Sequence, residues 1–346
     1  VVLGMEINSA HILLDKKNDS LMQYNSNPIF SDVPLINWKE PTAEANLIKT
    51  KTTQFAGYEC IQLGNDTVSL WVAKSFGPRI IGFAPEGGRN LFAELPDTRL
   101  ECPGAGYYSL RGGHRLWCAP EYPPRTYLPD DEAVQIEEID NGLIITQPIE
   151  AQTGLQKSIS ITLPDQTAKV VLDHTIRNRA NEALELAPWA ITMLKPGGVA
   201  ILPQPVGLVD EYGVLPNRSI TLWPYTQVNS PHIMWGDRYI FMQADLKENK
   251  LKIGFPNPAG WLGYFLNGTL FVKYARYDQK ESYYDHQSSS ECYCDAGVLE
   301  LETFGPRTTL GPGESVTHRE SWKVFQCVSF EASEDSVKQL VEEWRI

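Results

Sequence analysis

The 346-residue sequence is short of basic residues, with 30 Lys+Arg against 43 Asp+Glu and a formal net charge of −13. Binding a phosphate backbone or an anionic membrane surface needs clustered Lys/Arg, so neither nucleic acid nor membrane is expected as a partner. No stretch approaches the roughly 18–20 uninterrupted apolar residues of a membrane span. Val1–Leu14 has neither a basic start nor a small-residue cleavage site, so no signal peptide is recognised and a cytoplasmic location is the expectation. Cysteine is sparse: Cys60, Cys102, Cys118, Cys292, Cys294 and Cys327 are too scattered for a disulfide framework and read as reduced thiols. The single residue between Cys292 and Cys294 is the wrong spacing for a zinc knuckle. Also missing are an H-x-x-x-H pair, a Gly-rich phosphate loop and a Gly-x-Ser-x-Gly elbow, so no metal and no cofactor is expected. Helical periodicity is absent until Ser333–Ile346, where Val337, Leu340, Val341 and Trp344 fall on one face behind a Ser333 N-cap.

What is abundant is turn residues and rings: Gly 26, Pro 24, Trp 9, Tyr 15 and Phe 12. From about Thr52, short β-branched and aromatic runs recur between Gly, Pro, Asn and Asp, as strands do. Val68–Ala73, Arg79–Ala84, Leu143–Ile149, Ser158–Leu163, Lys169–Arg177, Leu184–Leu194, Tyr239–Ala244, Leu262–Leu266, Thr269–Tyr274, Val298–Phe304 and Val316–Val328 are the clearest. Asn267-Gly268 supplies the positive φ angles of a two-residue hairpin turn. Many strands and one helix mean an all-β sandwich or barrel. Residues 1–50 are expected to be an irregular N-terminal extension, 51–330 the β domain and 331–346 the terminal helix. The long connections 87–142 and 203–238 are expected to carry function or small extra strands.

The densest chemistry lies in Tyr107–Pro129, which holds Arg111, Gly112, Gly113, His114, Arg115, Trp117, Glu121, Arg125 and Tyr127, followed by Asp130 and Asp131. The paired glycines permit positive φ or close backbone approach. Rings cover the C–H patches of a sugar, while forked guanidinium donors and carboxylates bind its vicinal hydroxyls. In Val298–Phe304, Glu300 and Glu302 share one strand face about 7 Å apart, solvated or aimed into a cleft. Burial there raises a carboxyl pKa into the range of a general acid or base. His318, Glu320 and Trp322 share the apolar face of the final strand, as a satisfied buried set or the floor of a site. Trp189 stacks on a sugar or fills the core. His174 reads as core.

These residues carry a resemblance to the galactose mutarotase-like superfamily, which includes aldose 1-epimerases. Gly77-Pro78-Arg79-Ile80-Ile81-Gly82-Phe83, ending in Asn90-Leu91-Phe92, looks like its opening hairpin. Leu110-Arg111-Gly112-Gly113 is similar to its substrate loop. Leu301-Glu302-Thr303 looks like the strand that bears its catalytic glutamate. Gly112–Glu121 with Arg125–Asp130 looks like an uncharacterised branch of that superfamily. The resemblance implies a β-supersandwich whose concave face binds a mono- or oligosaccharide. It implies general acid/base ring opening, with Glu302 as the base and Glu300 as a neighbour able to exchange roles. Trp189 stands about where the acid His belongs, and His114 is the candidate substitute. Arg79, Asn90, Arg111, Trp117, Glu121, Arg125, Tyr127, Trp189 and His318 are the expected substrate contacts. The alternatives are a non-catalytic carbohydrate-binding protein, or a polysaccharide lyase or glycosidase using paired carboxylates.

Overall fold

The computed structural model describes residues 48–164 and 167–346. The expected N-terminal extension therefore lies, over residues 1–47, outside the described residues. In chain order the elements are β1 (Lys49–Phe55), β2 (Tyr58–Gly64), β3 (Val68–Ala73), β4 (Arg79–Pro85), β5 (Glu94–Cys102), β6 (Gly106–Ala119), α1 (Pro123–Thr126), β7 (Gln135–Ile139) and β8 (Gly142–Thr146). Next come β9 (Leu155–Thr162), β10 (Lys169–Asn178), β11 (Leu184–Leu194), β12 (Val199–Pro203), β13 (Thr221–Leu222), β14 (Ile233–Trp235), β15 (Tyr239–Gln243), β16 (Leu251–Phe255) and β17 (Trp261–Leu266). The chain closes with β18 (Thr269–Ala275), α2 (Tyr284–Gln287), β19 (Ser290–Cys294), β20 (Leu299–Phe304), β21 (Thr308–Leu310), β22 (Ser315–Phe325) and α3 (Glu334–Trp344).

The strands form two sheets. The first has 12 strands in the order β1-β2-β3-β4-β6-β11-β20-β19-β16-β13, with β5 on β6 and β21 on β11. The second has 10, in the order β14-β15-β12-β17-β18-β22-β10-β9-β8-β7. Alternation packs them face to face. Leu116, Cys118, Leu299 and Leu301 of the first meet Leu172, Phe271 and Trp322 of the second in one core. This is the expected all-β sandwich. The terminal helix forms as its pattern predicts: Ser333 Oγ accepts from Ser336 N–H at 3.2 Å, and Val337, Leu340, Val341 and Trp344 cover the second sheet's other face beside Phe241, Phe265 and Phe325. Asn267 and Gly268 have φ of 50° and 77°, the expected hairpin turn between β17 and β18.

One expectation changes. The Arg-Gly-Gly segment is not a loop but the middle of the 14-residue β6, and Arg111, Gly112 and Gly113 have φ of 54°, 83° and 76° in succession. The glycines are needed for space as well as for φ. A Cβ on Gly112 would lie 2.0 Å from Ala93 O, and one on Gly113 2.3 Å from Ile80 O. The kink lets β6 pair with β5 before it and with β4 and β11 after it. All six cysteines are free, and Cys292 and Cys294 point into the core.

Candidate active site on the outer face of the first sheet

The side chains that alternate away from the core on β6, β11, β20, β19 and β16 converge on one face. Cross-strand register sets Ile191 and Glu291 on either side of Glu302, Met193 and Tyr293 on either side of Glu300, and Arg115 opposite Ile191. Lys252 lies opposite Tyr293. The face is walled by Trp117, Trp189 and Phe304; Trp189 stacks on Phe304 at 5.4 Å and meets Trp117 edge-on at 5.4 Å.

The polar groups pair selectively. Glu302, with no solvent exposure, accepts at Oε2 from Trp189 Nε1–H at 2.7 Å and from Lys252 Nζ at 3.0 Å. Its Oε1 is buried and makes no hydrogen bond. Lys252 also contacts Glu291 Oε2 at 2.7 Å and lies over the rings of Trp189 and Trp223, at 5.0 and 4.7 Å. Arg115 donates through Nη2 to Glu300 Oε1 at 3.1 Å and lies 4.1 Å from the Trp117 ring centroid, while its Nε and Nη1 are buried and make no hydrogen bond.

These environments push the titrations apart. Burial raises Glu300 to about 7, against the opposing pull of Arg115 and with help from Glu302. Burial lifts Glu291 well above the usual carboxylate range, opposed by Lys252 and reinforced by Glu302 and Asp285. Burial would lower the Lys252 ammonium, but the flanking Glu291 and Glu302 reverse that and hold it well above its ordinary value. Asp285, on the adjoining segment, is raised by burial, Lys252 opposing and Glu302 adding.

Of the residues expected from sequence, Glu300, Glu302, Trp117 and Trp189 meet here. Tyr127 packs on Trp117 at 5.4 Å and donates to Glu121, which is exposed at the rim. Trp189 differs from expectation in its role. Its ring faces Phe304 and Lys252, so it orients Glu302 through its N–H and offers no free stacking surface. Arg79 stands beside Arg115 but is tied to Asp130 at 2.8 Å and to Tyr108, whose hydroxyl accepts from Trp117 Nε1–H at 3.2 Å; it buttresses the wall from behind. Arg111 is held by Asp130 and Asp131 over the Phe76 ring. Arg125 donates to Pro120 O at 3.0 Å, and Asn90 closes the turn between Phe83 and Phe92. None of these last three is brought to the carboxylates.

His114 and His318 are the clear corrections. Strand alternation sends Arg115 to the site and its neighbour His114 to the opposite face, between the sheets, so the backbone separates His114 from Glu302. A saturated polar layer receives it there. The buried Lys273 donates to Ala190 O at 2.9 Å, Leu301 O at 3.0 Å and Thr192 Oγ1 at 3.1 Å, and pairs with Glu320 at 2.9 Å. Thr192 then donates to His114 Nδ1 (2.9 Å), His114 Nε2–H to His174 Nε2 (2.6 Å), and His174 Nδ1–H to His318 O (3.1 Å), the tautomers that satisfy every partner. His318 Nε2–H donates to Thr303 Oγ1 at 2.8 Å, and that hydroxyl to Glu320. Burial lowers all three imidazoles, His114 well below its ordinary value and His318 to about 3, so they are neutral at pH 7. His114, His174 and Glu320 bring ligand atoms within 4.8 Å of one another, yet the Lys273 ammonium already serves as the cation beside Glu320, and the set does not fit a metal.

Sequence reading missed Lys252, Glu291, Asp285 and Trp223 as site residues. The signal for two of them was alternation: Lys252 between Leu251 and Ile253, and Glu291 with Tyr293 between Ser290, Cys292 and Cys294. Asp285 lies in the short, left-handed α2 and Trp223 just after β13, where no period applies.

A sandwich of two large antiparallel sheets is the fold of galactose mutarotase-like proteins. A solved galactose mutarotase-like protein from Lactobacillus casei matches 77 % of this chain and 100 % of its own, at 11 % identity and a TM-score of 0.53. A TPR-domain containing protein from Parabacteroides distasonis matches 80 % of this chain at 16 % identity and a TM-score of 0.54; the chain spans 49 % of that protein's length. Residues 113–325 match the family model described as "Domain of unknown function (DUF4380)", and the chain belongs to that family. No curated protein matches the sequence.

Proposed function

We propose that this chain is a carbohydrate-active protein, an aldose mutarotase or 1-epimerase-like enzyme, with residues 51–330 as its sugar-binding domain. The observation that carries the reading is the pair Glu302 and Glu300 on one ring-walled strand face, one held by two donors with a bare Oε1, the other raised to about 7. Glu302 Oε1 takes the proton of the anomeric hydroxyl while the Glu300 carboxyl gives its proton to the ring oxygen. The bond from the anomeric carbon to the ring oxygen breaks and an open-chain carbonyl forms. Rotation of the carbonyl and the reverse transfers close the ring as the other anomer, so atoms and protons balance without a co-reactant. Lys252 and Trp189 orient the base, and Arg115, laid over the Trp117 ring, donates from Nε and Nη1 to ring hydroxyls. Because Glu302 and Glu291 are fully buried, entry requires the partly exposed Trp223–Tyr225 segment to move aside.

Polarimetry on a panel of aldoses tests this. The expected result is interconversion faster than the buffer rate, reduced about 10²–10⁴-fold in Glu302→Gln. No acceleration for any aldose overturns it. A second reading, glycoside hydrolysis, is supported by the same two carboxyls: adjacent positions on one strand face are about 7 Å apart, inside the separation such enzymes use. Release of new reducing ends from an oligosaccharide, in place of anomer exchange, favours that reading.

A further inference from the structure

We propose that the sugar this cleft is built for carries a positive charge, an amino sugar whose ammonium is received by Glu291 and Asp285; this rests on the reading of the cleft as a sugar site. The cleft holds four carboxyls, Glu291, Glu300, Glu302 and Asp285, and two cations, Arg115 and Lys252. Arg115 pairs with Glu300, and Lys252 lies between Glu302 and Glu291 while Trp189 adds a second donor to Glu302. Glu291 and Asp285 are left with only a share of Lys252 between them. Glu291 has no solvent exposure, and beyond its ion contact with Lys252 it has no donor on either oxygen. Buried acceptors without donors are costly, and a carboxyl in this state holds a proton that a bound cation can replace.

A separate observation marks the other end of the ligand. Arg115 Nε and Nη1 are buried, unpartnered and on the Trp117 face. Three strand steps separate β6 from β19, about 14 Å at the backbone, so a ligand that meets both Arg115 and Glu291 spans β11 and β20 above Glu300 and Glu302 once the Trp223–Tyr225 segment has moved aside. The arrangement asks for hydroxyl oxygens at Arg115 and N–H donors at Glu291 and Asp285. A uronate or sugar phosphate would set a negative group among carboxyls, and a neutral hexose offers hydroxyl donors but no charge to replace the proton. Asp285 is delivered by three successive left-handed residues, with φ of 50°, 57° and 72° at Asp285, His286 and Gln287, a conformation that L-residues disfavour.

Calorimetric titration of the full chain at pH 7, in two buffers of different ionisation heat, tests this with a 2-amino-2-deoxyhexose, its N-acetyl form, the parent hexose and the hexuronate. The expected result is about tenfold or greater preference for the amino sugar, as one hydrogen-bonded charge gives, with proton release on binding. Its affinity then rises with pH while the amine stays protonated. The groups facing the ammonium are Glu291, Asp285, Glu302 and Lys252, with Glu300, Arg115 and Tyr293 next to them and Glu121 and Tyr225 at the rim, so Glu291→Gln is the variant that isolates the effect. It is expected to bring amino sugar and hexose within about threefold of each other while hexose binding persists. Equal or tighter binding of hexose or hexuronate overturns the inference, as does calcium chloride binding in competition with hexose where the amino sugar does not bind. Hexose interconversion without amino-sugar preference overturns this inference alone. No binding or interconversion of any of the four overturns the sugar reading as well.

Discussion

Glu300 is the residue whose charge changes across neutral pH, and activity and stability are expected to respond to it in the same direction. In its proposed role as general acid it must hold its proton, so activity is expected to fall as pH rises through about 7. Its effect on stability has a defined sign. The folded value of about 7 lies above the ordinary 4.5, so the folded state binds the proton more tightly. The contribution is fully present below 4.5 and is lost as pH rises through about 7. The difference corresponds to about 3 kcal/mol at most. Urea unfolding between pH 4.5 and 8 is expected to show this slope in the wild type and to show it flattened in Glu300→Gln. An unchanged slope in the variant places the titration elsewhere. Glu302 and Glu300 were legible from the sequence because alternation put both on one face. Their partners Lys252 and Glu291 carry a weaker signal, because each alternates as a single charge within a strand of only five residues, too short for the period to stand out.

The elements show why some of the fold was readable and some was not. β3, β10 and β22 have one face in the core and the other half-covered, so their alternation is plain. β6 and β11 are buried on both faces toward their C-terminal ends, and β6 is interrupted by the left-handed run at Arg111–Gly113, which reads as a loop. The same double burial hid the side of the sheet on which His114 falls, since neighbours on either face are apolar or aromatic. The kink carries its own prediction. Gly113→Ala forces a Cβ against the Ile80 carbonyl at positive φ, and is expected to destabilise the fold by about 2–4 kcal/mol or prevent it. Gly104→Ala, also at positive φ but with open space around its Cβ, is expected to lose much less in the same thermal melt.

At the scale of the whole molecule, the two sheets are joined by more than apolar packing. Lys273 reaches from β18 of the second sheet to the backbone of Ala190 and Leu301 in the first, next to Trp189 and Glu302, so the interior ion pair supports the strands that present the site. Removing one partner strands a buried charge: Lys273→Met alone is expected to destabilise by about 3–5 kcal/mol, and Lys273→Met with Glu320→Leu by much less. Denaturant unfolding of the single and double variants checks this. The layered sandwich and its terminal helix followed from pattern alone, whereas this interior layer rests on contacts between β6, β10, β11, β18, β20 and β22, which no local window of sequence contains. The central claim is that proton transfer belongs to the outer face of the first sheet and not to the histidine layer behind it. The direct measurement is NMR exchange between the α and β anomers of an aldose with wild type, Glu302→Gln and His114→Gln, each checked for native circular dichroism. The account predicts exchange lost in Glu302→Gln and kept in folded His114→Gln; exchange kept in Glu302→Gln and lost in folded His114→Gln contradicts it.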